Sequence, residues 1–331
     1  MQLQADVVVG LQAGDEAKGK VTHHLCKSGE FTHVLRFNGG CNAGHTIYHE
    51  GKRFVTHHIP AGVFFGIKSI IGPGCVLNID QFFKELGELQ AGGIDTEGLI
   101  YVSKNTHIIT DSHIAEENTE SKIGTTKRGN GPAYRDKYFR LGTRASEVPE
   151  LEPYLIDMYE ELYNSGTPSN VLCEGAQGFE LDIDWGDYPY VTSSHCTTAG
   201  ALLNGLPPNA LRRVWGVGKI YQTYVGSKNF EPDDEEFTKI REYGEEFGAT
   251  TGRPRQCNWL DLDKLSRAIN VNGVTDLVLN KVDVMRRLGT WKLIVDGEVR
   301  EFAEEAEMKT FIRDSVSPEL NIYFSESKEK I

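Results

Sequence analysis

No apolar run in this chain of 331 residues approaches the ~18 residues of a membrane span. The opening residues, Met1-Gln2-Leu3-Gln4-Ala5-Asp6, lack the cationic start and apolar stretch of a secretory leader, which predicts a cytoplasmic protein. Positive charge is scarce: 35 Lys and Arg stand against 48 Asp and Glu, a net charge of −13. A surface that acidic argues against general binding of nucleic acid or of anionic membranes. Phosphate groups would have to be held by a few local cations and backbone amides. The six cysteines, at 26, 41, 75, 173, 196 and 257, form no CxxC pair and read as reduced thiols. No GxGxxG follows the first apolar run, which argues against a dinucleotide dehydrogenase. There is no internal repeat, low-complexity tract or linker.

Glycine is in excess: 35 of 331 residues, about 11% against the ~7% of average usage. It carries no Gly-X-Y period, which excludes collagen and leaves many functional turns. Short apolar runs alternate with amphipathic stretches. Strands are expected over 6–10, 32–37, 69–71, 170–173 and 276–279, and helices over 16–26, 81–90, 152–163 and 261–271. Hairpins are expected around 48–52 and around Asp296-Gly297. This alternation predicts an α/β fold, a single domain over 1–331 with a mainly parallel central sheet.

The first expected strand runs into Gly10-Leu11-Gln12-Ala13-Gly14-Asp15-Glu16-Ala17-Lys18-Gly19-Lys20 and then a helix. Residues 14–20 spell GxxxxGK, the skeleton of a phosphate loop. Glycines let backbone N–H groups turn toward an anion, a helix N-terminus adds positive potential, and lysines neutralise charge. Val21 stands where a P-loop carries the Ser or Thr that holds Mg²⁺. Two acids, Asp15 and Glu16, sit inside the loop, and an acid in an anion loop points to a metal ligand or a base. Read alone, the segment leaves a glycine-rich turn with solvated charges as the lesser alternative.

Five segments in order remove that ambiguity. Residues 14–20, GDEAKGK, resemble the GDEGKGK of adenylosuccinate synthetases. Residues 38–46, NGGCNAGHT, are similar to the family's GGxNAGHT. Residues 123–134, IGTTKRGNGPAY, resemble IGTTxxGIGPAY. EGAQG at 174–178 with YPYVTSS at 188–194, and FGATTGRPR at 247–255, complete the set. The resemblance spans residues 5 to about 285, some 85% of the chain.

The family joins aspartate to C6 of a 6-oxopurine nucleotide at the expense of a nucleoside triphosphate. The resemblance implies that Asp15 is the base that removes the N1 proton and a ligand of Mg²⁺, completed by the Gly44 carbonyl. It makes His45 the acid that assists phosphoryl transfer, places Lys18 on the transferring phosphate and has Gln177 donate to the developing charge at O6. Asn42, Thr126 and Thr192 would hold the 5′-phosphate. Arg140 would reach that phosphate from the other subunit, which implies a homodimer. Thr251, Arg253 and Arg255 would hold the carboxylates of aspartate. Gly14, Glu16, Lys18, Gly19 and Lys20, with Lys281 and Asp283 of the NKxD-like run 280–283, would bind the triphosphate donor, GTP ahead of ATP.

The chain departs from the family in length, about 100 residues short with most of the loss after Asp283. Short forms resemble archaeal synthetases and the viral PurZ-type enzymes that make N6-succino-2-amino-2′-deoxyadenylate from dGMP, which would place a viral chain in the host cytoplasm. Ala13 stands where the family has Trp and Ala17 where it has Gly. Tyr224 replaces the arginine of TRVG close to the ribose, which suits a sugar without its 2′-hydroxyl. Asp15 is retained where many dGMP-using viral enzymes carry Ser. The expected substrate is dGMP, with IMP the alternative. A GTPase switch is a rival of another class, but it would want Ser or Thr after Lys20 and would leave 247–255 unexplained. His23-His24 and His57-His58 read as surface or packing residues, and Cys41 as a small packing residue.

Overall fold

Strand Leu3–Gly10 buries seven of its eight residues, and Asp276–Asn280 buries all five. Strands apolar on both faces belong in the middle of a parallel sheet covered on both sides. The computed structural model describes residues 3–119, 123–248, 252–327 and 331. Its main sheet has nine strands in the order Asn321–Phe324, Asp276–Asn280, Leu211–Lys219, Leu3–Gly10, Ser169–Glu174, His33–Arg36, Lys68–Ile71, Ile100–Ser103 and Leu155–Ile156. Every pairing in it is parallel.

Alternate residues feed opposite cores. Val7, Val9, Leu277 and Leu279 pack with Leu265, Ala268 and Ile269 of helix Leu262–Asn272. Val8, Val34 and Val278 pack on the other face with Val21 and Cys26 of helix Lys18–Cys26. A second sheet combines Tyr221–Tyr224, Gln256–Asp261, Trp291–Val295 and Glu298–Phe302. Its last two strands form the hairpin expected around Asp296-Gly297. No described helix is long and apolar enough to cross a membrane.

One expected element is absent. Residues 152–163 do not form a helix. Pro149–Tyr154 is a 3₁₀ turn with Pro153 inside it, Leu155–Ile156 is an edge strand, and a short π-helical turn follows at Glu160–Asn164. Proline cannot donate to a helical ladder, and Leu155 and Ile156 pair instead with Val102 and Ser103.

Parallel order places the loops after Gly10, Arg36, Glu174, Lys219 and Asn280 at one edge of the sheet. The carboxyl ends of such strands form the crevice where α/β proteins bind ligands.

Candidate active site

The loop after Gly10 turns through left-handed backbone at Gly14, Asp15 and Ala17, with φ of 89°, 59° and 72°. Inside it the Glu16 carboxylate points inward. It accepts the Gln12 and Gly14 N–H groups at 3.1 and 2.9 Å and the Lys18 ammonium at 2.5 Å. It thus takes the donors that such a loop offers to a phosphate. Glu16, named as a donor-nucleotide contact from the sequence, has its side chain fully buried as a brace of the loop. A Cβ on Gly10 would stand 2.6 Å from one Glu16 oxygen, and one on Gly178 would stand 2.3 Å from the other. Gln12 ties the loop to the neighbouring strands through Lys219 and Tyr221. Lys20 is bound to Asn280, Ser325 and the Ser327 carbonyl at 2.7, 2.6 and 2.9 Å, and burial lowers its pKa to about 8. It joins the phosphate loop to the NKxD-like segment.

His45 opens strand His45–His49 and lies against the start of helix Lys18–Cys26; a Cβ on Gly19 would stand 2.9 Å from its own Cβ. Its Nδ1 meets the Glu174 carboxylate, and its Nε2 is 3.1 Å from the Arg36 guanidinium. Burial first, and then the Arg36 cation, lower the imidazole to about 4 against the opposing pull of Glu174. Burial alone would raise Glu174; Arg36 and His45 overcome it and hold the carboxylate at about 2. His45 in this state is therefore neutral, donating from Nδ1 and accepting at Nε2.

Gln177, at φ 54°, donates to the Asn42 side chain at 3.1 Å. Among the described residues its buried Oε1 has no hydrogen-bond partner, so the amide is oriented with capacity to spare. Asn38 staples the two loops, accepting from Ala176 N–H and donating to Ser194. The Tyr134 hydroxyl braces Gly39 and Gly74. Thr192 N–H donates to the Leu181 carbonyl at 2.8 Å, which sets the run 177–192 along one wall of the crevice.

Arg255 reaches Asp15 at 2.9 Å and Glu246 at 2.5 Å. Glu246 is buried and also accepts from Lys219 and from the Tyr221 hydroxyl, at 3.1 and 2.6 Å. Lys281, at φ 70°, donates to the Gly244 carbonyl at 2.7 Å. Arg253 and Asp283 are exposed, as are Thr126 and Arg140. Thr251 lies outside the described residues. Tyr224 is 5% exposed, its ring 5.6 Å from Phe230. It is therefore packed into the wall where the sequence suggested a ribose contact. Cys41, His23 and His58 are buried packing groups.

A divalent cation fits beside Asp15. A carboxylate that exposes about a third of its side chain, with the backbone carbonyl of Gly44 that the resemblance pairs with it, is the kind of hard oxygen donor Mg²⁺ takes. A second group, Asp182, Asp184 and His195, also has ligand atoms close together. Asp182 there already accepts the N–H groups of Asp184, Trp185 and Cys196, which makes it a loop clamp.

Sequence reading did not assign Arg36, Glu174, Glu246 or Lys219, although Glu174 opens the EGAQG motif. Arg36, Lys219 and Glu246 carried no local signal, since their roles arise from segments far apart in the chain.

A family model described as adenylosuccinate synthetase matches residues 7–152 and 148–317. The adenylosuccinate synthetase of Phocaeicola vulgatus is 38% identical, across 88% of this chain and 81% of its own. That of Caldanaerobacter subterraneus is 36% identical, across 88% and 80%. The fully ligated enzyme of Plasmodium falciparum superposes with a TM-score of 0.78 at 30% identity, covering 91% of this chain and 83% of the other. The cyanophage S-2L succinoaminodeoxyadenylate synthetase, solved with dGMP and with dATP as energy donor, also gives 0.78. It covers 99% of this chain and 93% of its own at 22% identity, a likeness of fold.

Proposed function

The chain belongs to the adenylosuccinate synthetase family of carbon–nitrogen ligases, and from that premise we propose that it joins L-aspartate to C6 of dGMP with GTP as phosphoryl donor, acting as one domain over 1–331. One observation carries the reading: Asp15, His45 and Gln177 come from three segments that meet, since a Cβ on Gly39 would stand 2.9 Å from Gln177 Oε1, one on Gly19 would stand 2.9 Å from His45 Cβ, and one on Gly14 would stand 3.9 Å from Gln177 Cα.

An amide-like C6=O is a poor electrophile. Asp15 takes the proton from N1, O6 attacks the γ-phosphorus, and the nucleoside diphosphate leaves. The aspartate amine then adds at C6, and phosphate departs with the C6–O bond. Gln177 donates to the charge that builds on O6. Lys18 and the amino end of its helix supply positive potential for the phosphates. His45 assists transfer once substrate rearranges its contacts with Arg36 and Glu174. Mg²⁺, held by Asp15 and Gly44, would offset phosphate charge. Asn42, Thr126 and Thr192 hold the 5′-phosphate, and Thr251, Arg253 and Arg255 hold aspartate. Asn280 to Asp283 favour GTP, and the dATP of the cyanophage enzyme makes ATP the donor to test beside it.

Arg140 reaches into a second copy. It is exposed and flanked by Tyr138, Phe139 and Leu141, exposed at 65%, 70% and 72%, a cluster of apolar surface of the kind that marks an interface.

The dGMP preference draws on Tyr224, which offers no cation to a 2′-hydroxyl, and on the close match in length to the cyanophage enzyme. IMP is the second reading, favoured by the retained Asp15 and by the adenylosuccinate synthetases at 36–38% identity. A product assay with IMP, GMP and dGMP, each with aspartate and GTP or ATP, decides between them. Phosphate release without nucleotide and aspartate both present would point to a GTPase instead.

A further inference from the structure

Among the described residues, four buried or half-buried glutamates lie on the segments around the crevice, and three of these have cations. Glu16 has Lys18, Glu174 has Arg36, and Glu246 has Lys219 and Arg255. Glu180 does not. Among the described residues its carboxylate takes one hydrogen bond, from the neutral side-chain amide of Gln222 at 2.7 Å, and no ion pair. Burial pushes this carboxyl up to about 7; Lys264 and Lys228 act on it only from a distance. A half-buried carboxyl with one neutral donor has acceptor capacity left for a further donor.

The place of Glu180 shows which donor. It lies three residues beyond Gln177 on the turn Phe179–Leu181, and its N–H donates to the Gln12 carbonyl of the phosphate loop at 3.1 Å. The next residue, Leu181, packs beside Gly14, one residue before Asp15. Gln222 lies on strand Tyr221–Tyr224 and is itself buried. With Gln177 at O6 and Asp15 at N1, the next group along that purine edge is the substituent at C2. We propose that the Glu180 carboxylate, oriented by Gln222, accepts the 2-amino group of a guanine nucleotide and so selects guanine over hypoxanthine. This rests on the guanine reading above. A hypoxanthine presents C2–H there and leaves the acceptor unpaired.

The test compares kcat/KM for dGMP and dIMP, which differ only in the 2-amino group, in the wild type, E180L and E180Q. Both variants should lower the dGMP/dIMP ratio at least tenfold. In E180Q the new amide carbonyl would take the Gln222 N–H and turn its own NH₂ toward the purine, so a folded, nearly isosteric variant reads the same ratio. Q222L, which frees the carboxylate from its brace, should lower the ratio less. A wild type that turns over dIMP but not dGMP overturns the guanine reading and this inference with it. A wild type that uses dGMP, with a ratio unchanged in both Glu180 variants or with both nucleotides lost alike, overturns this inference alone.

Discussion

The Arg255 guanidinium stands 2.9 Å from the Asp15 carboxylate, with Glu246 gripping it from behind at 2.5 Å. In this state the guanidinium occupies the carboxylate proposed as the base. On the proposed roles, release of Asp15 onto N1 would be tied to Arg255 finding another carboxylate, that of the incoming aspartate. Asp15→Asn should lower kcat by the ~10²–10⁴ of a lost acid–base group. The pair is partly exposed, so the melting temperature should move little, as such pairs are worth about 0–1 kcal/mol. Near-normal turnover with both substrates would remove Asp15 from the base role.

Glu174 makes a different prediction, since it is fully buried between Arg36 and His45. Glu174→Gln leaves a buried guanidinium short of its counter-charge, and breaking such a pair costs about 3–5 kcal/mol. A urea midpoint within error of the wild type would show that the Arg36–Glu174 pair bears no structural load. His45→Asn keeps the Arg36–Glu174 pair and should instead lose ~10²–10⁴ in turnover.

Acid should destabilise the protein well before its carboxylates are protonated. Burial lowers His23 and His45 to about 4 and His58 to about 3. Unfolded histidine titrates near ~6.5, so between there and about 4 the unfolded chain binds protons that the fold refuses. Stability is complete above the unfolded value and falls as pH drops, by at most ~1.4 kcal/mol per pH unit for each histidine. Glu180, raised to about 7, and Asp6, also raised by burial, run the opposite way, but burial lowers His24, His33 and His107 as well as these three. Urea midpoints at pH 7.5, 6 and 5 should decline in that order, and a flat profile would contradict the burial of these imidazoles.

The parallel sheet was legible because buried strands read as continuous apolar runs, as at 276–279, and the phosphate loop because its glycines and lysines are adjacent. The helix expected over 152–163 failed because apolar spacing persisted through Pro153 while the backbone obeyed the proline. The inward turn of Glu16 and the burial of Tyr224 were not legible. Both depend on what lies across the crevice, Gly178 in one case and Phe230 in the other. The chain Lys219–Glu246–Arg255–Asp15 joins residues more than 200 positions apart and has no local spacing to betray it.

Lys20 links the phosphate loop to Asn280, two residues after which helix Val282–Leu288 begins with an exposed Asp283. That connection joins the phosphate loop to the NKxD-like run proposed to read the donor base. Asp283→Asn replaces an acceptor for guanine N1 and N2 with an amide that can donate to a C2 carbonyl. The variant should lose GTP and gain xanthosine triphosphate, measured as kcat/KM for each donor. An unchanged preference for GTP would show the match to NKxD to be accidental.

Arg140 ends helix Asn130–Phe139 in left-handed backbone at φ 67°, which turns it out of the helix among exposed apolar side chains. Nothing described in its own subunit holds it, so its phosphate contact is expected in trans. Arg140→Leu alone should then be inactive, as should Asp15→Asn. In a mixed dimer the two defects are separated. One site receives both mutant contributions and is dead; the other receives Asp15 from one chain and Arg140 from its partner and is intact. Equal mixing makes half the dimers mixed, each with one working site of two, so activity should recover to about a quarter of the wild type. Recovery that depends on subunit exchange, followed by mixing tagged chains and measuring turnover as they equilibrate, establishes the composite site. If tagged chains demonstrably exchange and activity stays absent, Arg140 serves its own subunit and the apolar cluster around it needs another partner.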